Sequence, residues 1–201
     1  MRSFRVGISG GIGSGKSTVS QIFGRNGAVV IDLDALSRAS TAAGGAAIDA
    51  VRSTFGEDFV DRTGAMDRTK MRSLVFSDPK ARSRLEAIVH PVIAMESATL
   101  AQKAQERGVA CIVFDIPLLV ESAHWRASLD RVVMVDCSVD TQIQRVKARS
   151  GLDETEIRRI IHAQSSRALK LQAADTVIFN EGKNLLAIER ELQSLSAQFG
   201  L

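Results

Sequence analysis

The run Gly10-Gly11-Ile12-Gly13-Ser14-Gly15-Lys16-Ser17 carries the clearest chemistry in this chain. Glycines let a short loop fold so tightly that its backbone N–H groups converge on an anion. A helix starting near Gly15 adds the positive end of its dipole. In such a loop Lys16 would reach the β- and γ-phosphates of a nucleotide and the Ser17 hydroxyl would ligate Mg²⁺. Gly11, Ile12, Gly13, Ser14, Gly15 and Thr18 would complete the cradle for ATP. Chance produces this string in roughly 1% of chains of this length. A dinucleotide-binding turn of the G-x-G-x-x-G type would need glycine where Lys16 stands.

Two further groups of residues could act on a bound triphosphate. Ile31-Asp32-Leu33-Asp34 ends an apolar run, and Arg38 follows. Strand ends line the ligand crevice of an open α/β sheet. One of these aspartates could take a proton from an attacking hydroxyl, and the other could hold Mg²⁺ through water or fix Arg38; helix capping is the plainer alternative. The second group is basic. Between Thr141 and Lys170 seven Lys/Arg face three acids, a net +4 against +3 for the whole chain. Arginines on a closing segment can neutralise a transferring phosphoryl group, and Arg145 and Arg149 share one helix face.

These residues need elements to position them. Apolar runs at Phe4–Ser9, Ala28–Asp32, Ala110–Asp115, Asp130–Asp136 and Thr176–Phe179 read as five strands. They lack polar alternation, as strands buried on both faces do. Helical spacing between them predicts an α/β fold: a five-stranded parallel sheet of the P-loop NTPase type, flanked by helices. The expectation is one domain, with its core over about 1–40, 108–138 and 172–201, a helical acceptor-binding insertion over about 41–107 and a helical lid over about 139–171. Helices are expected at Gly15–Asn26, Gly45–Phe55, Arg68–Phe76, Pro79–Val89 and Pro91–Arg107, from about Glu154, and along the apolar stripe Leu185, Ile188, Leu192, Leu195 and Phe199. Pro79 and Pro91 suit first helical turns, with Asp78 as a cap.

Composition narrows the class. The 201 residues are 45% hydrophobic and 24% charged, as in ordinary globular proteins. Cys111 and Cys137 form no CxxC and read as buried reduced thiols; His90, His124 and His162 lack metal-like spacing. With no signal-peptide shape or membrane-length apolar run, the reading is cytoplasmic. The pI near 9.1 suits an anionic partner. Aromatics at 4% and the absence of Tyr leave few stacking platforms, which argues against nucleic acid. A phosphate loop by itself does not specify a kinase. However, a GTPase would need N-K-x-D, which is missing, and motor or transporter ATPases are usually longer. A small-molecule kinase remains, monomeric or weakly homo-oligomeric.

Gly10–Thr18 followed by Val30–Asp34 resembles the dephospho-CoA kinase family. Further matches follow in order: His90-Pro91, Pro117-Leu118-Leu119-Val120-Glu121, Gln142 with Arg145 and Arg149, Gln164 with Lys170, Ala174-Asp175, Asn180 and Gly182. The resemblance covers essentially the whole chain. It implies ATP and Mg²⁺, and transfer to the ribose 3′-hydroxyl of dephospho-CoA. It also implies Asp34 as catalytic base, Arg145 as a phosphate-contacting lid arginine, and His90, Pro117, Leu118 and Leu119 on the acceptor side. Arg149 and Asn180 fall with the ATP site, Asp32 and Arg38 with the acceptor. His90 either orients the acceptor or caps a helix. Leu33 and Ser37 stand where the family has alanine. The alternatives are a nucleoside or nucleotide kinase and, more remotely, a nucleotide-regulated nucleic-acid binder.

Overall fold

The structure, a computed structural model, describes residues 2–182 and 184–201, and leaves the side chains of Ala123 and His124 outside the description. The expectation for His124 therefore lies outside the described residues. Two compact units are present, one formed by Met1–Asp32 with Lys103–Leu201 and the other by Leu33–Gln102.

The first unit is built on strands β1 (Phe4–Gly10), β2 (Val29–Asp32), β3 (Cys111–Asp115), β4 (Arg131–Asp136) and β5 (Thr176–Phe179). All pair in parallel, in the order β2-β3-β1-β4-β5. The five sequence runs thus fall on five strands. Burial on both faces describes β3, which is buried throughout, but not β5. At the sheet edge Val177 and Phe179 are 39% and 44% exposed. An edge strand has a neighbour on one side only, and its outward side chains lose that cover.

Helix α1 (Lys16–Arg25) packs Val19, Ile22 and Phe23 into one core with Val6, Ile8, Val113, Val133 and Val135 from the strands. The chain's last helix, Leu185–Gln198, adds Ile188, Leu192 and Leu195 to it. α1 stops just before Gly27, whose φ of 101° suits glycine. Phe23 is fully buried, with its ring 5.9 Å from that of Phe199. Phe23→Ala is expected to cost about 3–5 kcal/mol, read as a lower urea midpoint at unchanged slope. Cys111 and Cys137 are free and buried, and loss of hydration pushes their thiols up to about 12 and about 11.

The second unit is helical: α2 (Leu33–Ser40), α3 (Ile48–Phe55), α4 (Arg68–Ser77) and most of α5 (Pro79–Glu106). Asp67 caps α4 by accepting from the Thr69 and Lys70 amides, and Ala47, Val51, Met71 and Ala81 are buried. Two expectations are corrected here. A helix begins directly at Leu33, where no element was assigned, and it carries Asp34 in its first turn, a favourable end of the dipole for an acid. The helices expected at Pro79–Val89 and Pro91–Arg107 are one 28-residue helix with Pro91 inside it, so His90-Pro91 does not lie between helices. Proline's φ is itself helical, and the break costs one hydrogen bond, about 3 kcal/mol, which a long helix with buried positions such as Val89 and Ser97 absorbs. Asp78 does accept from the Lys80 amide at 2.8 Å, as expected for a cap before Pro79.

The basic segment belongs to the first unit. It comprises α6 (Val139–Ser150), α7 (Glu154–Ala163) and α8 (Arg167–Gln172), and α9 (Leu185–Gln198) follows β5. Asp153 caps α7 by accepting from the Glu156 amide at 2.8 Å. Ile143 and Val146 of α6 pack on Ile157 of α7, with Ile12 and Ile161 beside them. Among the described residues no helix is long and apolar enough to cross a membrane.

Candidate active site

Strand β1 ends at Gly10, and the chain turns through Gly11–Gly15 into α1. Gly13 and Gly15 hold φ of 74° and 96°, conformations that disfavour any side chain. The loop is gripped from outside by its carbonyls. Arg145 donates to Gly13 O at 3.3 Å and Ser14 O at 3.2 Å, and Asn180 Nδ2 donates to Ser14 O at 2.8 Å. Arg145 also donates to the Asn180 carbonyl at 3.0 Å, so these two residues form one clamp. The Ser14 carbonyl held outward turns the Gly15 N–H of the same peptide the other way, as in an anion nest, while the Ser14 N–H closes the turn onto Gly11 O at 3.1 Å. A Cβ on Gly13 would stand 2.8 Å from Gln142 O and 3.0 Å from Val146 Cγ2. Gly13→Ala is therefore expected to lose about 1–3 kcal/mol of stability and to weaken ATP binding, measured by denaturation and by nucleotide titration.

At the other side of the nest Lys16 is ion-paired with Asp115, the last residue of β3. Ser20 Oγ donates to the second Asp115 oxygen at 2.8 Å. Asp115 is 6% exposed, so this ion pair is largely shielded on the carboxylate side. Asp32 ends β2 directly beside Asp115 in the sheet register and is exposed. Ser17 lies exposed in the first turn of α1. Among the described residues no group of three or more His, Cys, Asp or Glu could hold a metal ion. One hydroxyl and two neighbouring carboxylates fit Mg²⁺, which keeps several waters and leans on substrate phosphates rather than on a protein cage.

The remaining expected residues are spread more widely. Ile12 packs beside α6 and α7, and Thr18 follows Ser17 on α1. Arg149 is exposed in the last turn of α6, one turn beyond Arg145. Pro117, Leu118 and Leu119 form a turn after β3. Leu118 is 40% exposed while Leu119 is 3% exposed against the sheet at Gly7, so Leu118 is the one presenting a side chain to solvent. In the helical unit Arg38 lies exposed at the end of α2, with its carbonyl accepting from Arg68, and His90 is exposed on α5. Asp34 is exposed in α2.

Residues that the sequence did not single out complete the frame. Asp136, buried at the end of β4, takes a bidentate bond from Arg167 with contacts of 2.6–3.0 Å. Glu181 accepts from the Ser138 amide at 2.6 Å and from the Thr141 hydroxyl, bonds that hold its carboxyl below the usual range. Asp136 carried the same signal as Asp32, an acid closing an apolar run. Glu181 carried none.

A family model described as dephospho-CoA kinase matches residues 4–185. A dephospho-CoA kinase from Albidiferax ferrireducens is 50% identical over 197 residues, covering 98% of this chain and 93% of that protein. Another from Bordetella avium is 51% identical over 193 residues, covering 94% and 89%. Among solved structures, TT1252 from Thermus thermophilus superposes with a TM-score of 0.83 at 33% identity, covering 98% of both chains. A dephospho-CoA kinase from Campylobacter jejuni, at 21% identity, and a shikimate kinase from Acinetobacter baumannii, at 16%, share the fold with TM-scores of 0.69 and 0.54. Motif, sheet order and full-length similarity agree: the chain belongs to the dephospho-CoA kinase family, ATP-dependent kinases of the final step of coenzyme A biosynthesis.

Proposed function

We propose that this chain transfers the γ-phosphoryl group of ATP to the ribose 3′-hydroxyl of dephospho-CoA, with the Gly11–Thr18 loop as the phosphate cradle. The observation that carries this reading is the clamped loop leading into α1 and Lys16, whose ammonium pairs with the buried Asp115. Phosphoryl transfer is mostly positioning and charge stabilisation, and a preorganised nest with an inward ammonium supplies both. Lys16 would leave Asp115 for the β- and γ-oxygens. Asp34, two residues past the tip of β2, takes the proton of the attacking hydroxyl. Arg145 steadies the loop through its carbonyls, and Arg149, one turn further along α6, meets the phosphates as the lid closes over them. Asp32, Arg38, His90 and Pro117–Leu119 serve the acceptor.

Ser17 would hold Mg²⁺, assisted by Asp32 and Asp115 through water, and the ion would neutralise charge developing on the phosphates. Free buried thiols suit a reducing cytoplasm.

A coupled ADP-release assay over a panel of acceptors tests the reading. Dephospho-CoA is expected to exceed nucleosides and nucleotides in kcat/KM by about 100-fold or more, as for sites that hydrogen-bond their substrate. A nucleoside or nucleotide turned over equally well would overturn it.

A further inference from the structure

Gln164, the residue that ends α7, places its amide oxygen in an unusual position. Gln164 Oε1 accepts from the Ile12 N–H at 3.2 Å and from Lys170 Nζ at 3.1 Å. One donor is a backbone amide of the phosphate loop, and the other is an ammonium. A neutral oxygen that collects a loop N–H and a cation occupies the environment of a phosphoryl oxygen. Ile12 lies on the arm of the loop that opens from β1, while α1 and Lys16 lie on the other arm.

The surroundings are built to hold this arrangement. The turn from α7 into α8 is fixed by Glu121, whose Oε1 accepts from the Ser165 amide at 2.6 Å. Ser166 then caps α8 by accepting from the Leu169 amide, and α8 carries Lys170 back toward the loop. Lys170 is half-buried. Burial lowers the pKa of its ammonium, with the Glu121 and Asp136 carboxylates pulling it back up. Both carboxylates have other commitments, Glu121 to Ser165 and Asp136 to Arg167. Ordering a lysine in partly desolvated surroundings, aimed at an uncharged oxygen, is costly unless a stronger acceptor takes that place during function.

We propose that Lys170 is a second phosphate-binding cation, directed at the terminal phosphate of the donor nucleotide, and that the Gln164 side chain keeps the place of a γ-phosphate oxygen until the nucleotide arrives. The inference rests on the loop being the nucleotide site. When the nucleotide enters, one of its oxygens takes over the Ile12 N–H and Lys170 Nζ. Glu121 is then a positioning residue that sets the turn. The chain would therefore read the third phosphate through two lysines on different elements, Lys16 from α1 and Lys170 from α8.

The test compares ATP with ADP, because only a γ-directed cation distinguishes them. Titrations of the full chain by calorimetry, with Mg²⁺ present, would give both dissociation constants. Lys170→Met is expected to weaken ATP at least about tenfold, as for loss of a charge-assisted hydrogen bond, and ADP less than about twofold. Lys170→Arg, which keeps the charge, is expected to restore most of the ATP preference, and this comparison stands even if Lys170→Met melts early. Parallel weakening of both nucleotides, an unchanged ATP affinity, or no preference for ATP in Lys170→Arg would overturn the proposal. Lys16→Ala in the same titration separates the two readings: it should weaken both nucleotides, and its failure to do so would remove the nucleotide from this loop altogether.

Discussion

Lys16→Ala is expected to lower turnover with ATP by about 100- to 1000-fold, the usual cost of removing one preorganised charge contact at a developing negative charge. The effect should be large. The ammonium is paired with Asp115, which is itself 6% exposed and bound by Ser20. Its removal also leaves Asp115 as a buried carboxylate without its counter-charge, facing incoming phosphates. That repulsion should raise the ATP dissociation constant as well as lower kcat. Steady-state kinetics with an ADP-coupled readout would measure both. A variant that keeps near-wild-type turnover would mean that the loop does not hold the reacting phosphates.

Asp34→Asn is the second large effect, expected at about 100-fold or more in kcat with dephospho-CoA, the range of a general base. Asparagine keeps the size and hydrogen-bonding reach of the side chain but cannot accept the proton. Asp34 lies in the first turn of α2, exposed, so the substitution should change stability by less than about 1 kcal/mol, the surface value for an acid near a helix N-terminus. ATP affinity should stay near wild type, which separates this variant from Lys16→Ala. A loss in kcat below about tenfold would remove Asp34 from proton transfer.

The sequence made the core of this site legible because its signals are local. Gly10–Ser17 names a loop by spacing alone, and the apolar runs on either side demand a strand before it and a helix after it. The capping signal at Asp78 was equally local, and Asp78 bonds as its position suggests. Misreadings arose where a local rule met a longer element. Pro91 reads as a helix start, yet the surrounding 28-residue helix carries it. Asp32-Leu33-Asp34 reads as a strand tip, yet Leu33 already begins a helix. The clamp on the loop was illegible for a different reason. Arg145 and Asn180 meet Gly13 and Ser14 only because α6 and the end of β5 come together across more than a hundred residues of chain. Basic spacing on α6 marked Arg145 as functional, while only packing reveals that its guanidinium grips carbonyls. The pairing of Asp136 with Arg167, and of Gln164 with Ile12, is tertiary in the same way.

A crystal structure of the chain with a non-hydrolysable ATP analogue, Mg²⁺ and dephospho-CoA measures the central relation directly. The triphosphate should sit against the Gly13–Ser17 amides and Lys16 Nζ, with the acceptor 3′-oxygen about 2.6–3.2 Å from an Asp34 carboxylate oxygen. A nucleotide bound away from this loop, or an acceptor whose 3′-oxygen lies beyond reach of Asp34, would contradict it.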